Sequence, residues 1–169
     1  MPTFLEPAFF LIISCAVLAA AWFDISGFRI PNRLVIATLG LFPVAVLTGI
    51  IPAGRALGHL GVAAVSFAVC FFLFTRTWLG AGDGKLISAV MLLLGPSLAM
   101  PFVVAMAIAG GLLSLAIHAS ATRPLPIWLE GVGIHGGFRL GMRRVPYGVE
   151  IAAGALVLTV PNILTSLNL

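Results

Sequence analysis

The chain has 169 residues, of which 61% are hydrophobic and 8% are charged. A soluble domain carries about 25% charged residues, so this composition excludes an ordinary soluble domain and favours a membrane protein. The net charge is +4, but the basic residues are scattered between apolar runs, without a basic helix or an aromatic stacking platform. They fit topology signals and anionic lipid headgroups better than nucleic-acid binding.

The apolar runs predict an all-α, multi-pass membrane protein with about six transmembrane helices, forming one domain over 1–169 without a soluble domain. The predicted spans are 7–23, 34–51, 57–74, two segments within 86–117, and 147–167. The first span is expected to be retained, because the residues before it contain Glu6 and none of the basic residues of a secretory signal peptide.

The stretch 86–117 is too long for one crossing. As a single helix it would extend about 48 Å, against a bilayer core of about 30 Å. Gly95, Pro96 and Pro101 lie near its middle, so we predict two segments that turn within 95–100. The first segment is short for a full span.

The basic residues predict the orientation. With six spans and the N-terminus outside, eight basic residues lie in cytoplasmic breaks and only Arg55 lies outside. The eight are Arg29, Arg33, Arg76, Lys85, Arg123, Arg139, Arg143 and Arg144. This distribution follows the positive-inside rule and predicts both termini outside. A single span over 86–117 would instead leave four basic residues inside and place five outside. The long loop 119–146 is expected to lie at the headgroup level.

The chain contains only two aspartates, each at the end of an apolar run. Asp24 ends the first predicted span and Asp83 begins the fourth. Two crossings separate them, so both are expected at the same depth on the cytoplasmic side, where they can be neighbours. An acid beside a membrane segment is a functional candidate by default. Either one alone could instead face water or cap a helix, as Asp83 could for the helix after it.

Two adjacent carboxyl groups cannot both ionise easily and therefore share a proton. The ionised group can take a proton from water while the protonated group polarises a carbonyl, as in aspartic proteases. The glycines around Asp83 permit close approach of backbone or substrate; they are Gly80, Gly82 and Gly84. Lys85 could favour the ionised state of one aspartate or bind lipid phosphate.

Three motifs follow one another along the chain. Residues 24–34 read Asp-Ile-Ser-Gly-Phe-Arg-Ile-Pro-Asn-Arg-Leu, residues 80–86 read Gly-Ala-Gly-Asp-Gly-Lys-Leu, and residues 144–149 read Arg-Val-Pro-Tyr-Gly-Val. The first resembles the Asp motif of type IV prepilin peptidases, in which Ile-Pro-Asn (here with Pro31 and Asn32) follows the acid. The second resembles their Gly-x-Gly-Asp-x-Lys-Leu motif, and the third resembles the stretch that opens their last helix.

This resemblance implies a membrane aspartyl endopeptidase that removes the leader from prepilins at the cytoplasmic face of a bacterial inner membrane. Asp24 and Asp83 match its catalytic positions. The chain lacks the paired Cys-x-x-Cys motifs of larger members, so it resembles the short branch that serves tight-adherence (Flp) pili, and methyltransferase activity is not expected. The implied partners are Flp-type prepilins, membrane lipids and pilus assembly machinery. The related archaeal preflagellin peptidases are an alternative.

Other residues near these motifs are predicted to bind substrate or to lie at the interface: Arg29, Arg33, Arg144, Pro146, Tyr147 and Glu150. Glu150 stands where the resemblance leads us to expect a small or apolar residue. It is expected to pair with Arg144 or Lys85, and an effect on the aspartate pair is the alternative.

Two other classes of function are weighed against the protease. A small proton-coupled transporter would use the two aspartates as a proton relay, but the chain shows no symmetry between its halves. An assembly scaffold would need neither carboxyl group. No cofactor or metal is expected, because the histidines show no ligand spacing and both cysteines fall inside apolar runs.

Overall fold

The computed structural model describes residues 5–27, 29–120 and 147–166. Within these ranges the chain forms five helices and no strand, which confirms the predicted all-α fold. The helices are α1 (Leu5–Gly27), α2 (Asn32–Leu47), α3 (Ala53–Thr75), α4 (Ala81–Ser120) and α5 (Tyr147–Ser166). Most of the predicted loop 119–146, including its arginines, lies outside the described residues.

Four of these helices, α1, α3, α4 and α5, are long and apolar enough to cross a membrane. Large apolar side chains on their surfaces point outward, as Trp22 at 64% and Leu57 at 80% exposure illustrate. Such a surface is unfavourable in water and suits contact with lipid, where helices satisfy their own backbone hydrogen bonds. The chain is therefore a multi-pass membrane protein. The second predicted span is the shorter helix α2, with 16 residues.

Helix α4 is bent at Gly95, where φ is 72° and ψ is −176°. Residues with a side chain rarely adopt this φ, so glycine is suited to the bend. We call residues 81–94 the first arm of α4 and residues 96–120 its second arm. The predicted division of this stretch near 95–100 is confirmed. The first arm is about 21 Å long at 1.5 Å per residue, which is short for a bilayer core.

The second arm leads back toward the level at which the first arm began. Leu93, near the bend, packs with Phe9 and Ile13 in the first half of α1. Gly110, farther along the second arm, lies against Glu150 at the opposite end of the bundle. The two arms together with the other four helices thus give six helical segments in the described part of the chain.

A hydrogen bond from α3 supports the bend. The carbonyl of Leu92 would normally accept the N–H of residue 96, but Pro96 has none. The Nδ1 atom of His59 lies 2.8 Å from this carbonyl oxygen, and because a carbonyl only accepts, Nδ1 carries the proton. A Cβ atom at Gly95 would overlap the His59 ring. The histidine therefore replaces the missing backbone donor, and Gly95 leaves the space for its ring.

The helices pack so that the ends bearing the aspartates meet. Helices α1 and α5 are antiparallel, with Gly148 against Asp24 at one end and Ser14 against Thr159 toward the other. Helix α3 is antiparallel to the first arm of α4, which begins at the same end as Asp24. The buried apolar core between these elements includes Val17, Ala20, Leu86, Val90, Phe102, Ile151 and Ala155. The end of α1 and the starts of α2, α4 and α5 consequently share one end of the bundle.

Candidate active site

Asp24 lies in the last turn of α1 and is only 5% exposed. The backbone N–H of Gly148, in the first turn of α5, donates a hydrogen bond of 2.7 Å to Oδ2 of Asp24. First-turn N–H groups have no partner within their own helix, and a carboxylate is a strong acceptor for them. Helix α5 therefore begins at the point where it can hold the carboxyl group of Asp24.

Gly148 has to be a glycine for this contact. A Cβ atom there would lie 2.7 Å from Cβ of Asp24, closer than real Cβ atoms approach one another. Gly148 belongs to the third motif, but the sequence alone predicts no role for it. The signal that could have pointed to Gly148 was its place directly after Tyr147 in the third motif, because that motif occurs together with the two aspartate motifs.

Asp83 lies in the first turn of α4 and is half-buried. Its carboxyl group accepts a hydrogen bond from the backbone of Gly80, and its charge interacts with that of Asp24. The structure thus brings together the two aspartates that lie 59 positions apart in the sequence (83 minus 24).

The glycines around Asp83 sit at close contacts. A Cβ atom at Gly80 would overlap the carboxyl group of Asp83, and one at Gly84 would lie 3.0 Å from Cβ of Cys70 on α3. At Gly82 the added atom would be 3.4 Å from Cβ of Ile30, an ordinary contact. Gly80 and Gly84 therefore let the start of α4 pack closely, whereas Gly82 has room for a small side chain.

Glu150 adds a third carboxyl group at this end of the bundle. It lies in the first turn of α5, is 8% exposed, and its charge interacts with those of both Asp24 and Asp83. The predicted pairing with Lys85 is wrong: these two described residues form no ion pair, and Lys85 instead donates to Oδ1 of Asn32 at 3.4 Å. Arg144, the other predicted partner, lies outside the described residues. Glu150 lies at the end of the bundle where the aspartates meet, and the alternative, an effect of Glu150 on the aspartate pair, stays a prediction.

The remaining predicted residues lie near this cluster or belong to the part of the chain outside the described residues. Pro31 precedes α2, and its carbonyl accepts the N–H of Leu34 at 3.0 Å. Arg29 and Arg33 are exposed near the start of α2. The hydroxyl group of Tyr147 donates to the carbonyl of Trp78 at 3.2 Å, which links α5 to the segment before α4.

Pro146, like Arg144, lies outside the described residues. Among the described residues, no group of three or more His, Cys, Asp or Glu side chains is arranged to hold a metal ion. The chemistry that this arrangement offers is acid–base chemistry by two adjacent carboxyl groups, with a backbone N–H fixed on one of them.

The chain is similar to a known protein family. A model of the type IV leader peptidase family matches residues 11–115, more than half of the chain. The matched region contains Asp24, Asp83, the first arm of α4, the bend at Gly95 and most of the second arm. No curated protein matches the chain, and no solved structure matches it.

Proposed function

Because the chain belongs to the type IV leader peptidase family, we propose that it is a membrane aspartic endopeptidase that cleaves the leader peptide from Flp-type prepilins. We place the cleavage at the cytoplasmic face of a bacterial inner membrane, with both termini outside. Family membership supports a protease acting on prepilins in general. The Flp substrate class rests on the resemblance of the three motifs, and the orientation rests on the distribution of basic residues.

One observation carries the assignment of the catalytic pair. Asp24 ends α1, Asp83 begins α4, and the bundle brings their carboxyl groups close enough for their charges to interact. Both are shielded from full hydration by the packed helix ends. Two such groups can hold one proton between them, which is the state that aspartic proteases use.

Both carboxyl groups accept a backbone N–H, Asp24 from Gly148 and Asp83 from Gly80. We assign the role of base to Asp24 and place the shared proton on Asp83. Asp24 takes a proton from water while the water oxygen attacks the scissile carbonyl carbon. Asp83 gives its proton to the carbonyl oxygen, forming a tetrahedral diol. Asp24 then gives the proton it gained to the amide nitrogen while Asp83 takes a proton back from a hydroxyl group of the diol. The C–N bond breaks, which leaves a carboxyl group on the leader and a free amino group on the pilin.

A prepilin suits a site at a helix-bundle end. Its mature part begins with an apolar helix, and its charged leader precedes that helix, so the scissile bond would lie at the membrane interface. The exposed faces of the second arm and α5 include Val104, Ile108 and Val157. These apolar side chains offer a surface beside which such a helix can lie within the membrane.

The test is co-expression of a Flp-type prepilin with the wild-type protein and with Asp24→Asn or Asp83→Asn, followed by mass spectrometry of the pilin. We expect the pilin to lose the mass of its leader when it is co-expressed with wild type. With either aspartate variant we expect the pilin to keep its full mass. Glu6→Gln is the matched control, because Glu6 is exposed in the first turn of α1, at the other end of the bundle. Cleavage retained by one aspartate variant would refute the shared-proton mechanism. Absence of cleavage by folded wild type with several prepilins would favour the proton-relay transporter.

A further inference from the structure

Glu150 is a buried ionisable group that the proposed mechanism does not use. Its carboxyl group lies in the same turn of α5 as Gly148, which holds Asp24. On its other side it packs against Gly110 of the second arm. A Cβ atom at Gly110 would lie 2.5 Å from Oε2 and 2.6 Å from Cδ of Glu150. The glycine therefore provides the space that the carboxyl group of Glu150 occupies.

We propose that Glu150 is a positioning residue of this site, a third carboxyl group that controls the protonation of the Asp24–Asp83 pair. The proposal rests on the proposed function of that pair. Glu150 acts through the two aspartates, and Gly110 is the position that makes its placement possible.

The groups facing Glu150 explain why it acts on the pair. Asp24 of α1 accepts the N–H of Gly148, two residues before Glu150. Asp83 lies in the first turn of the first arm of α4 at the same end of the bundle, and Tyr147 lies in the same turn of α5 as Glu150. The second arm contributes no titratable side chain between residues 96 and 115. Lys85 is exposed and donates to Oδ1 of Asn32. Among the described residues, no cation acts on the carboxyl group of Asp83 or Glu150.

Three neighbouring carboxyl groups with low exposure cannot all be charged at once, and their protons belong to the group as a whole. A negative charge on Glu150 opposes the second negative charge that the aspartate pair would acquire on losing its shared proton. The pair consequently keeps that proton to a higher pH than it would alone. Glu150 thereby extends the pH range over which the pair can act as acid and base.

The first experiment compares the pH dependence of prepilin cleavage for wild type, Glu150→Gln and Glu6→Gln. Glutamine keeps the shape of the side chain and removes the charge. We expect the alkaline decline of kcat to begin about one pH unit lower in Glu150→Gln, with KM unchanged and with Glu6→Gln equal to wild type. A Glu150→Gln profile that coincides with the wild-type profile would overturn the inference.

The second experiment tests whether Gly110 and Glu150 act as a pair. Gly110→Ala should displace the carboxyl group and lower kcat up to about tenfold on the alkaline side of the pH profile, whereas Gly111→Ala should have no effect, since a Cβ atom at Gly111 meets nothing within 4 Å. In a protein that already carries Glu150→Ala, the same Gly110→Ala change should lower kcat by less than about twofold, because the added methyl group no longer meets the carboxyl group of Glu150. Equal losses in both backgrounds would contradict the pairing.

Infrared titration of the carboxyl groups in purified protein separates this inference from the proposed function, because it needs no substrate. Glu150→Gln should move the deprotonation of the aspartate pair to lower pH, with the contribution of the pair identified by Asp24→Asn and Asp83→Asn. An unchanged titration overturns the role of Glu150 even if the protein cleaves prepilins. A changed titration without cleavage supports the carboxyl cluster and refutes the protease.

Discussion

Gly148 and Asp24 are 124 positions apart in the chain, yet the N–H of Gly148 donates to Oδ2 of Asp24 across 2.7 Å. The contact joins the beginning of the last helix to the end of the first. It places an oriented donor on one of the two proposed catalytic carboxyl groups. A side chain at position 148 would separate the two helix ends.

Gly148→Ala should therefore abolish most of the activity. The added methyl group would push Asp24 away from its donor, and a displacement of about 1 Å at a reacting group can lower the rate about 100-fold. The measurement is the rate of prepilin cleavage by protein whose folding has been checked by its melting temperature in detergent. Gly61→Ala is the matched control, because a Cβ atom at Gly61 meets nothing within 4 Å. An active Gly148→Ala protein would refute the positional role of this glycine.

His59→Phe should destabilise the bend in α4. Phenylalanine preserves a ring beside Gly95 but leaves the carbonyl of Leu92 without its donor, and a buried unsatisfied carbonyl costs about 1–3 kcal/mol. Unfolding in mixed detergent micelles should show this loss of stability. His59→Gln, which retains a side-chain donor, should be less destabilised. Equal stability of His59→Phe and wild type would show that the hydrogen bond contributes nothing.

The Ser14–Thr159 contact should stabilise the antiparallel pairing of α1 and α5. Their hydroxyl oxygens are 2.8 Å apart and buried. Hydrogen bonds between transmembrane helices contribute about 0.6 kcal/mol on average. A double-mutant cycle with Ser14→Ala and Thr159→Val should return a coupling energy of this size. Additive single-mutant effects would indicate that the two hydroxyl groups act independently.

The proposed orientation can be tested with two exposed arginines at opposite ends of the bundle. Arg55 lies in the first turn of α3, at the end of the bundle away from the aspartates. Arg76 directly follows the last residue of α3, at the end near the aspartates. In a variant without Cys15 and Cys70, a membrane-impermeant maleimide should label Arg55→Cys in intact cells and label Arg76→Cys only after lysis. The reverse pattern would place the aspartates on the outer face.

The sequence alone determined the fold class and the location of the aspartates. Apolar runs and their lengths are local properties, and a bilayer of known thickness converts them into spans. The length of 86–117, together with Gly95 and Pro96, predicted the bend that the structure contains. Counting crossings between Asp24 and Asp83 predicted that they lie on one side, because an even number of crossings returns the chain to the same face.

Only the tertiary structure decided which side chains meet at that end. In a membrane helix both the core-facing and the lipid-facing residues are apolar, so hydrophobic periodicity does not reveal how the helix is rotated. Charge complementarity favoured Lys85 as the partner of Glu150, yet the rotation of α5 directs Glu150 toward Gly110 and the aspartates. The contact of Gly148 with Asp24 likewise depends on the relative depth and rotation of α1 and α5, which follow from packing across the whole bundle.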